Sequence, residues 1–459
     1  MYASFIKRCF VLSVFLYLLV ATAGQEPART ADNPVFEKIA ETVAIMLPEM
    51  HLLHLPLDDS IARRALDNYL EALDPERVYF LKRDIDEFNK QCDELDDQLK
   101  LGNVQFAFKV FEVFRARFLN RYEYVQSFAR KNLDLSTQEK IKWKRKDAQW
   151  CATEEEYNRL WDLRLKNMYI QRLVAMQLEE EEAREKEQKN KSDKGTDDTK
   201  SEKNNPSSDM RSERREKNEQ AISTNIWNGI LNHYKQLKII LDDHDAEWIF
   251  QLYLSSFARA YDPHCEYMSQ STLENFEIEM KLSLTGIGAL LTSEDGAAKI
   301  ESLIPGGPAE RDKRDIRLRP GDKIIGVGQE DQPIVDTLHW PLRKVVQLIR
   351  GKKGTKVVLK VIPASDPTGS SVKIVDLIRD EIKLEERAAK SKIYDIKDGD
   401  GNIRKLGVIK VPSFYADIEG LKSRARDSRS STRDVARLLR ELNTNGVEGI
   451  VLDLRNNPG

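Results

Sequence analysis

LSLTGIGALL, Leu282 to Leu291, is the stretch on which the rest of the chain is read. Apolar residues flank Gly286 and Gly288 in a segment that otherwise has strand character. A residue without a Cβ turns its amide outward at little cost, and a row of such N–H groups captures a carboxylate. Paired glycines also fit a simple hairpin bulge, so the segments that follow carry weight. Ile300 to Asp336, IESLIPGGPAERDKRDIRLRPGDKIIGVGQEDQPIVD, predicts a strand, a Pro-Gly-Gly-Pro turn, a short helix, Pro320-Gly321-Asp322 and another strand, in that order. A helix is expected from Trp340 to Ile349, stopped at Gly351, and then a strand from Val357 to Ile362.

With Gly306-Gly307-Pro308-Ala309 and Leu318-x-Pro-Gly-Asp-x-Ile324 at this separation, the module resembles a PDZ domain. Gly286-Ile287-Gly288-Ala289 stands where Gly-Leu-Gly-Phe is usual, and the missing aromatic widens one wall of the pocket. The resemblance implies that a ligand's C-terminus lies beside this strand and the helix after Trp340. Its peptide-binding residues would then be Gly286, Ile287, Gly288, Ala289, Leu290 and Val346. Backbone pairing supplies affinity in that mode, and apolar pockets supply preference for nonpolar tails.

Working outward, 459 residues suggest three domains at about 150 residues each. A charged fraction of 32 % with a net charge of −3 leaves no basic excess for nucleic acid or a membrane surface. Lys7 and Arg8, the apolar run Cys9 to Ala21 and Ala21-Thr22-Ala23 predict a secretory signal peptide over residues 1–23. The run is shorter than the ~20 residues a membrane span needs, so the mature chain is expected to be exported without stable membrane insertion. Cys92, Cys151 and Cys265 then allow at most one disulfide, so an apolar core must hold the fold.

Residues 24–177 read as a helical domain, with apolar residues at helical spacing in Phe88, Cys92, Leu95 and Leu99 and again in Phe106, Val110, Phe111 and Phe114. Asp74 and Pro75 suit the N-cap and first turn of a helix from Glu76. Residues 178–220 are almost wholly polar; the front half extends the preceding helix through Glu/Lys pairs, and the remainder reads as a flexible insertion. Helical spacing resumes over 221–277, the PDZ-like module spans 278–364, and 365–459 opens an α/β domain. There, strand Leu406 to Val411, helix Ser431 to Thr444 and the apolar strand Gly449 to Arg455, expected to be buried on both faces, make a right-handed crossover. So few strands cannot cover a sheet, so the chain is expected to stop before its last domain does. The expected class is multidomain α+β: an all-helical amino-terminal domain, a β-rich PDZ-type domain and the start of an α/β hydrolytic domain.

Five blocks in order carry a wider resemblance. LDPERVYFLKRDIDEF, FARAYDPHCEYMS, KLSLTGIGALL, GVIKVPSFY and GIVLDLRNNPG are together similar to the tail-specific, or carboxyl-terminal processing, serine proteases of the exported bacterial kind. That resemblance implies a periplasmic endopeptidase of a Gram-negative bacterium. It would take protein or peptide substrates with free nonpolar C-termini and use a serine nucleophile with a lysine base, without metal or cofactor. The lysine must be desolvated to be neutral, and backbone amides must meet the oxyanion. Asp453 to Gly459 matches the family's Asp-Leu-Arg-x-Asn-x-Gly-Gly up to its first glycine, which makes Gly459 a candidate oxyanion donor. The serine and lysine segments follow later in the family, so this chain alone is expected to bind and not to hydrolyse. None of Ser413, Ser428, Ser430 and Ser431 has the context of a nucleophile. A non-catalytic peptide-binding adaptor ending at Gly459 is the rival reading.

Three other constellations fail on geometry. His264 and Cys265 are neighbours in a turn and diverge, with Asp262 better suited to capping. Asp242, Asp243, His244 and Asp245 are consecutive and cannot face one ion. His51 and His54 lack a third ligand. A calcium loop from Asp398 would need glycine at Ile403 and glutamate at Ile409, so Asp398 to Gly401 is expected to be a hairpin turn.

Overall fold

Side-chain caps set where the first two helices begin. In this computed structural model, which describes residues 33–192 and 208–459 except 132, 143, 331, 367–370 and 425–427, Asn33 Oδ1 accepts the Val35 N–H at 3.0 Å and starts α1 (Pro34–Met50). Asp58 does the same for α2 (Asp59–Leu73). Then come α3 (Lys82–Asn89), α4 (Leu95–Lys100), α5 (Gln105–Phe128), α6 (Glu154–Ser192), α7 (Ser208–Asp243) and α8 (Ala246–Tyr261). Two apolar cores hold them. One gathers Phe36, Leu66, Tyr69, Phe111 and Phe250, and the other Tyr157, Trp161, Trp227 and Ile230. The phenylalanines of α5 go to core, as their spacing predicts, each worth about 1.5–3 kcal/mol relative to exposure.

Two expectations change here. No helix starts at Glu76: Asp74 ends α2, and its carboxylate, 1 % exposed, collects the N–H groups of Val78, Tyr79 and Phe80 at 2.8–3.0 Å. The front half of the polar run extends the preceding helix as expected, to Ser192, but the remainder is not all insertion, since α7 already starts at Ser208. The leader over 1–23 and residues 193–207 of the insertion lie outside the described residues. Cys92, Cys151 and Cys265 are all free, so packing does hold this part of the fold.

The chain divides into two units, Met1–Ser269 and Gln270–Gly459. The second opens with α9 (Gln270–Lys281) and β1 (Ser283–Gly286). Next are β2 (Ala289–Glu294), β3 (Ala297–Leu303), α10 (Pro308–Arg311), β4 (Lys323–Gln329), β5 (Val335–Asp336), α11 (Leu342–Ile349), β6 (Lys356–Ile362) and β7 (Lys373–Ile378). The sheet runs β2-β3-β4-β6-β7 with β5 beside β4. Along β6, Val357, Leu359 and Val361 alternate inward with period two and meet Ile300, Ile324 and Val345 of the core. The sheet passes the expected boundary at 364, because β7 pairs with β6 from Lys373 to Ile378. β1 leaves it and pairs antiparallel with β8 (Asp380–Lys383), so the strands entering and leaving the PDZ-type module zip together.

The last part holds β9 (Lys390–Lys397), β10 (Ile403–Lys410), α12 (Ile418–Lys422), α13 (Ser431–Thr444) and β11 (Gly449–Asp453), with sheet order β11-β10-β9. β10 and β11 are parallel, and α13 crosses between them as expected. The Asp398 turn closes the β9–β10 hairpin, its N–H donating to Asn402 O at 2.9 Å. β11 is not buried on both faces: Ile450, Val451 and Leu452 are 44–52 % exposed, because only β10 flanks it among the described residues and α13 packs over β9 and β10.

Asp434 on α13 ties this part together, accepting from Tyr415 Oη at 2.7 Å, Arg429 Nε at 3.0 Å and Arg437 at 3.2 Å. Burial alone would raise its pKa, but the hydroxyl and the two guanidiniums outweigh it and hold the carboxyl below the usual aspartate value. The charged form is therefore favoured by folding. Its contribution is intact above about pH 4 and is lost as pH falls below that. Urea midpoints recorded from pH 6 downward should drop more steeply for the wild type than for Asp434→Asn in that acid window. Parallel slopes would mean that the network does not titrate with folding.

Candidate functional site

The loop that can hold a carboxylate forms where β1 hands over to β2. The sequence pattern assigns both glycines to the turn, but the structure needs only one there. Gly286 is still paired with Asp380 at the end of β1, whereas Gly288 has φ +75°. A Cβ on Gly288 would lie 3.0 Å from Gly307 Cα, so a side chain there would meet backbone as well as conformational strain.

Hydrogen-bond accounting then shows which way the amides point. Ile287 O accepts from Ala309 N at 2.9 Å and Gly288 O from Ile304 N at 2.8 Å. A trans peptide unit aims its N–H opposite its C=O, so the N–H groups of Gly288 and Ala289 face away from the 304–309 turn. The N–H groups of Ile287 and Gly288 find no backbone acceptor among the described residues. Such outward donors suit a terminal carboxylate.

The groove beside it lies between β2, whose outer edge is unpaired among the described residues, and α11. Ile287 is buried and anchors the loop in the core. Ala289 and Leu291 lean half-buried against that core, as do Trp340 and Leu342, while Leu290 between them is 52 % exposed. Strand alternation explains this: 289 and 291 share a face and 290 takes the other, so Leu290 can offer a guest chain only its backbone. On α11, Val345 and Ile349 fill the core. Val346 instead lines a cavity of about 280 Å³ with Leu342, Arg350 and residues Ser271 and Asn275 of α9. Arg350 reaches Asn275 Oδ1 at 2.7 Å there. Sequence reasoning missed Leu291 and Leu342, although period two from Ala289 and period 3.6 from Ile349 both point to them.

Gly459 lies on the segment after β11. Its carbonyl accepts from Phe414 N at 3.2 Å, and its N–H donates to Asn457 Oδ1 at 2.9 Å. The amide is therefore engaged by a side chain, which must release it before it can meet an oxyanion. The Arg455 guanidinium, paired with Asp453, holds that carboxyl well below the usual carboxylate range. Ser430 caps α13 through Arg433 N, and Ser428 bonds the Arg433 guanidinium, which gives both structural duties. The loop residues 286–289 are brought together with the groove; Val346 lines the α9 cavity, and Gly459 belongs to the β11 end.

The rival constellations resolve as turns and caps. Asp262 Oδ1 accepts His264 N at 2.7 Å, and the imidazole is exposed. Asp245 caps α8 through Trp248 N, and His244 stacks on the Trp248 ring at 3.6 Å. The His51 ring packs edge-on against Tyr261, and His54 meets Pro48 O. No group of three metal-ligating side chains occurs among the described residues, and no described helix is long and apolar enough to cross a membrane.

Three family profiles match the chain: the tail specific protease N-terminal domain over residues 43–271, the PDZ domain over 276–362 and peptidase family S41 over 405–459. The chain is 34 % identical over 434 residues to a tail-specific protease of Haemophilus influenzae, covering 94 % of this chain and 52 % of that protein. It is 32 % identical over 198 residues to the carboxy-terminal processing protease CtpB of Bacillus subtilis, covering 43 % of this chain and 35 % of that protein. Among solved structures it is similar to the PDZ domain of a carboxy-terminal protease from Vibrio cholerae in complex with peptide, at 48 % identity over 22 % of this chain and all of that one, with a TM-score of 0.21. The chain thus spans about half the length of the Haemophilus protein and about a third of the Bacillus one.

Proposed function

The chain belongs to the tail-specific, or carboxyl-terminal processing, protease family, and on that premise we propose that its PDZ groove tethers exported proteins by a free, nonpolar C-terminus for serine-dependent cleavage. The serine and lysine that the family resemblance implies are not identified in residues 1–459, so these residues by themselves bind and do not turn over. The observation that carries the reading is the pair of outward amides at Gly288 and Ala289 beside an open β2 edge. The half-buried apolar side chains of Ala289 and Leu291 on β2 support the preference for nonpolar tails. Residues 1–23 would direct the protein to the periplasm of a Gram-negative cell.

The test compares a labelled peptide with a nonpolar terminal tripeptide as free acid and as amide, by fluorescence anisotropy on the full chain. Hydrogen bonds to a charged group contribute about 1.5–3 kcal/mol, so the amide should bind roughly 10- to 100-fold more weakly. Gly288→Val should lose affinity for the free acid at least as far, because a branched side chain at positive φ and 3.0 Å from Gly307 Cα displaces the loop's amides. Equal binding of acid and amide would end the tether hypothesis. Sequencing of the protein recovered from a periplasmic extract tests export, with Gly24 as the expected first residue.

A further inference from the structure

A groove in the amino-terminal unit lies outside everything assigned above. It runs between the end of α5 and the second half of α7 and encloses about 480 Å³. Tyr122, Leu231 and the edge of the buried Trp227 are among its lining. Arg130, Lys131 and Lys235 also line it, and no carboxylate does. Several cations elsewhere in this unit have acidic partners, as Lys166 has Glu139, Arg117 has Asp84, and Lys238 and Arg115 share Asp242, while Arg77 and Arg121 bond neutral oxygens. The three in the groove have none among the described residues, and Lys131 rests over the rings of Phe128 and Tyr124 instead. The carbonyls that end α5 supply only about half a negative charge against three positive ones. The groove is thus a site of uncompensated positive charge over an apolar base.

A second feature narrows the ligand. Asn228 and Asn232 also line the groove, exposed and without side-chain hydrogen bonds among the described residues. They stand one turn apart on α7, a rise of about 6 Å, and Lys235 continues the row. Alternate residues of an extended chain repeat at about 6.7 Å, close to that spacing. A carboxamide presents a donor and an acceptor side by side, which matches the N–H and C=O of one residue's backbone. We propose that this groove binds an extended acidic polypeptide segment, with Asn228 and Asn232 clasping its backbone and Arg130, Lys131 and Lys235 meeting its carboxylates. The site needs neither a free C-terminus nor hydrolysis, so it stands apart from the PDZ tether.

The probe is a labelled twelve-residue Asp/Glu-rich peptide blocked at both ends, so that the loop at Gly288 has no terminal carboxylate to hold. Anisotropy with the full 459-residue protein should show it binding at least about tenfold more tightly than its Asn/Gln counterpart at low salt, with the advantage shrinking as salt rises. The double variant Lys131→Gln/Lys235→Gln should lose about tenfold and flatten the salt dependence. Asn228→Ala/Asn232→Ala should lose a comparable factor and leave the salt slope unchanged, which a purely electrostatic patch would not do. All four side chains are exposed, and circular dichroism confirms that each variant folds. Equal affinity for the acidic and neutral peptides would overturn the proposal. So would unchanged binding by the asparagine variant, or competition by free glutamate on a par with the peptide.

Discussion

Arg379→Met is expected to destabilise the PDZ unit by about 3–5 kcal/mol, because it takes a charged donor from several buried neutral acceptors at once, each worth about 1–3 kcal/mol when left unsatisfied. Arg379 is 2 % exposed. Its Nε donates to Ile349 O at 2.8 Å, Nη1 to Thr355 Oγ1 at 2.9 Å, and Nη2 to Gln329 Oε1 at 2.6 Å and Leu348 O at 3.1 Å. These acceptors are neutral, and two of them are the last carbonyls of α11, where a cation complements the helix dipole. The planar guanidinium also explains Gly351, since a Cβ there would lie 2.9 Å from Arg379 Nε. Methionine fills the volume but leaves Ile349 O and Gln329 Oε1 without this donor, while Leu348 O keeps the Gln329 Nε2 bond at 2.7 Å. Arg379→Lys, with one compact head in place of a five-donor fork, should fall between. Because α11 is one wall of the groove proposed to take a C-terminal tail, tail affinity should decline with stability. The measurements are urea unfolding and hydrogen exchange of Leu342–Ile349. A loss below about 1 kcal/mol with unchanged exchange would mean that water satisfies the orphaned carbonyls.

Asp74→Ala should cost a similar amount, about 3–5 kcal/mol, by leaving three buried N–H groups without an acceptor. The loop they belong to joins both cores of the helical unit. Phe80 packs in one and Val78 in the other, while Trp161 Nε1 donates to Val78 O at 2.9 Å and Tyr157 Oη to Tyr79 O at 2.7 Å. Burial holds the Asp74 carboxyl above the ordinary aspartate pKa, although the three N–H bonds pull the other way. Asp74→Asn keeps an acceptor oxygen and should cost only about 1–2 kcal/mol. Near-equal losses for the two variants would assign the effect to packing rather than to hydrogen bonding.

Neither residue announces itself in the sequence. Asp74 beside Pro75 carries the local signature of a helix start, and that signature misleads, because its partners are the N–H groups of a loop rather than of a helix turn. Arg379 reads as an ordinary charge at a strand end, and only the closing of β7 onto β6 buries it under α11. The same holds for Val346, whose helical face is plain from spacing but whose neighbour, α9, is not. The groove between α5 and α7 is out of reach for a stronger reason: Lys131 and Asn228 lie nearly a hundred positions apart.

What the amino-acid order determined unaided was most of what has a short-range cause. Glycine and proline marked the PDZ turns, period two and period 3.6 marked strands and helices, and the blocks around 73–88, 257–269, 282–291, 406–415 and 449–459 carried the family. What only the tertiary structure decided was which polar groups end up facing one another: that of Gly286 and Gly288 it is Gly288 that takes positive φ, which amides turn outward, the zipping of β1 to β8 and the charges left unpaired beside α7 among the described residues. Those outcomes depend on chain closure over tens to hundreds of residues, where no local preference of a side chain specifies its partner.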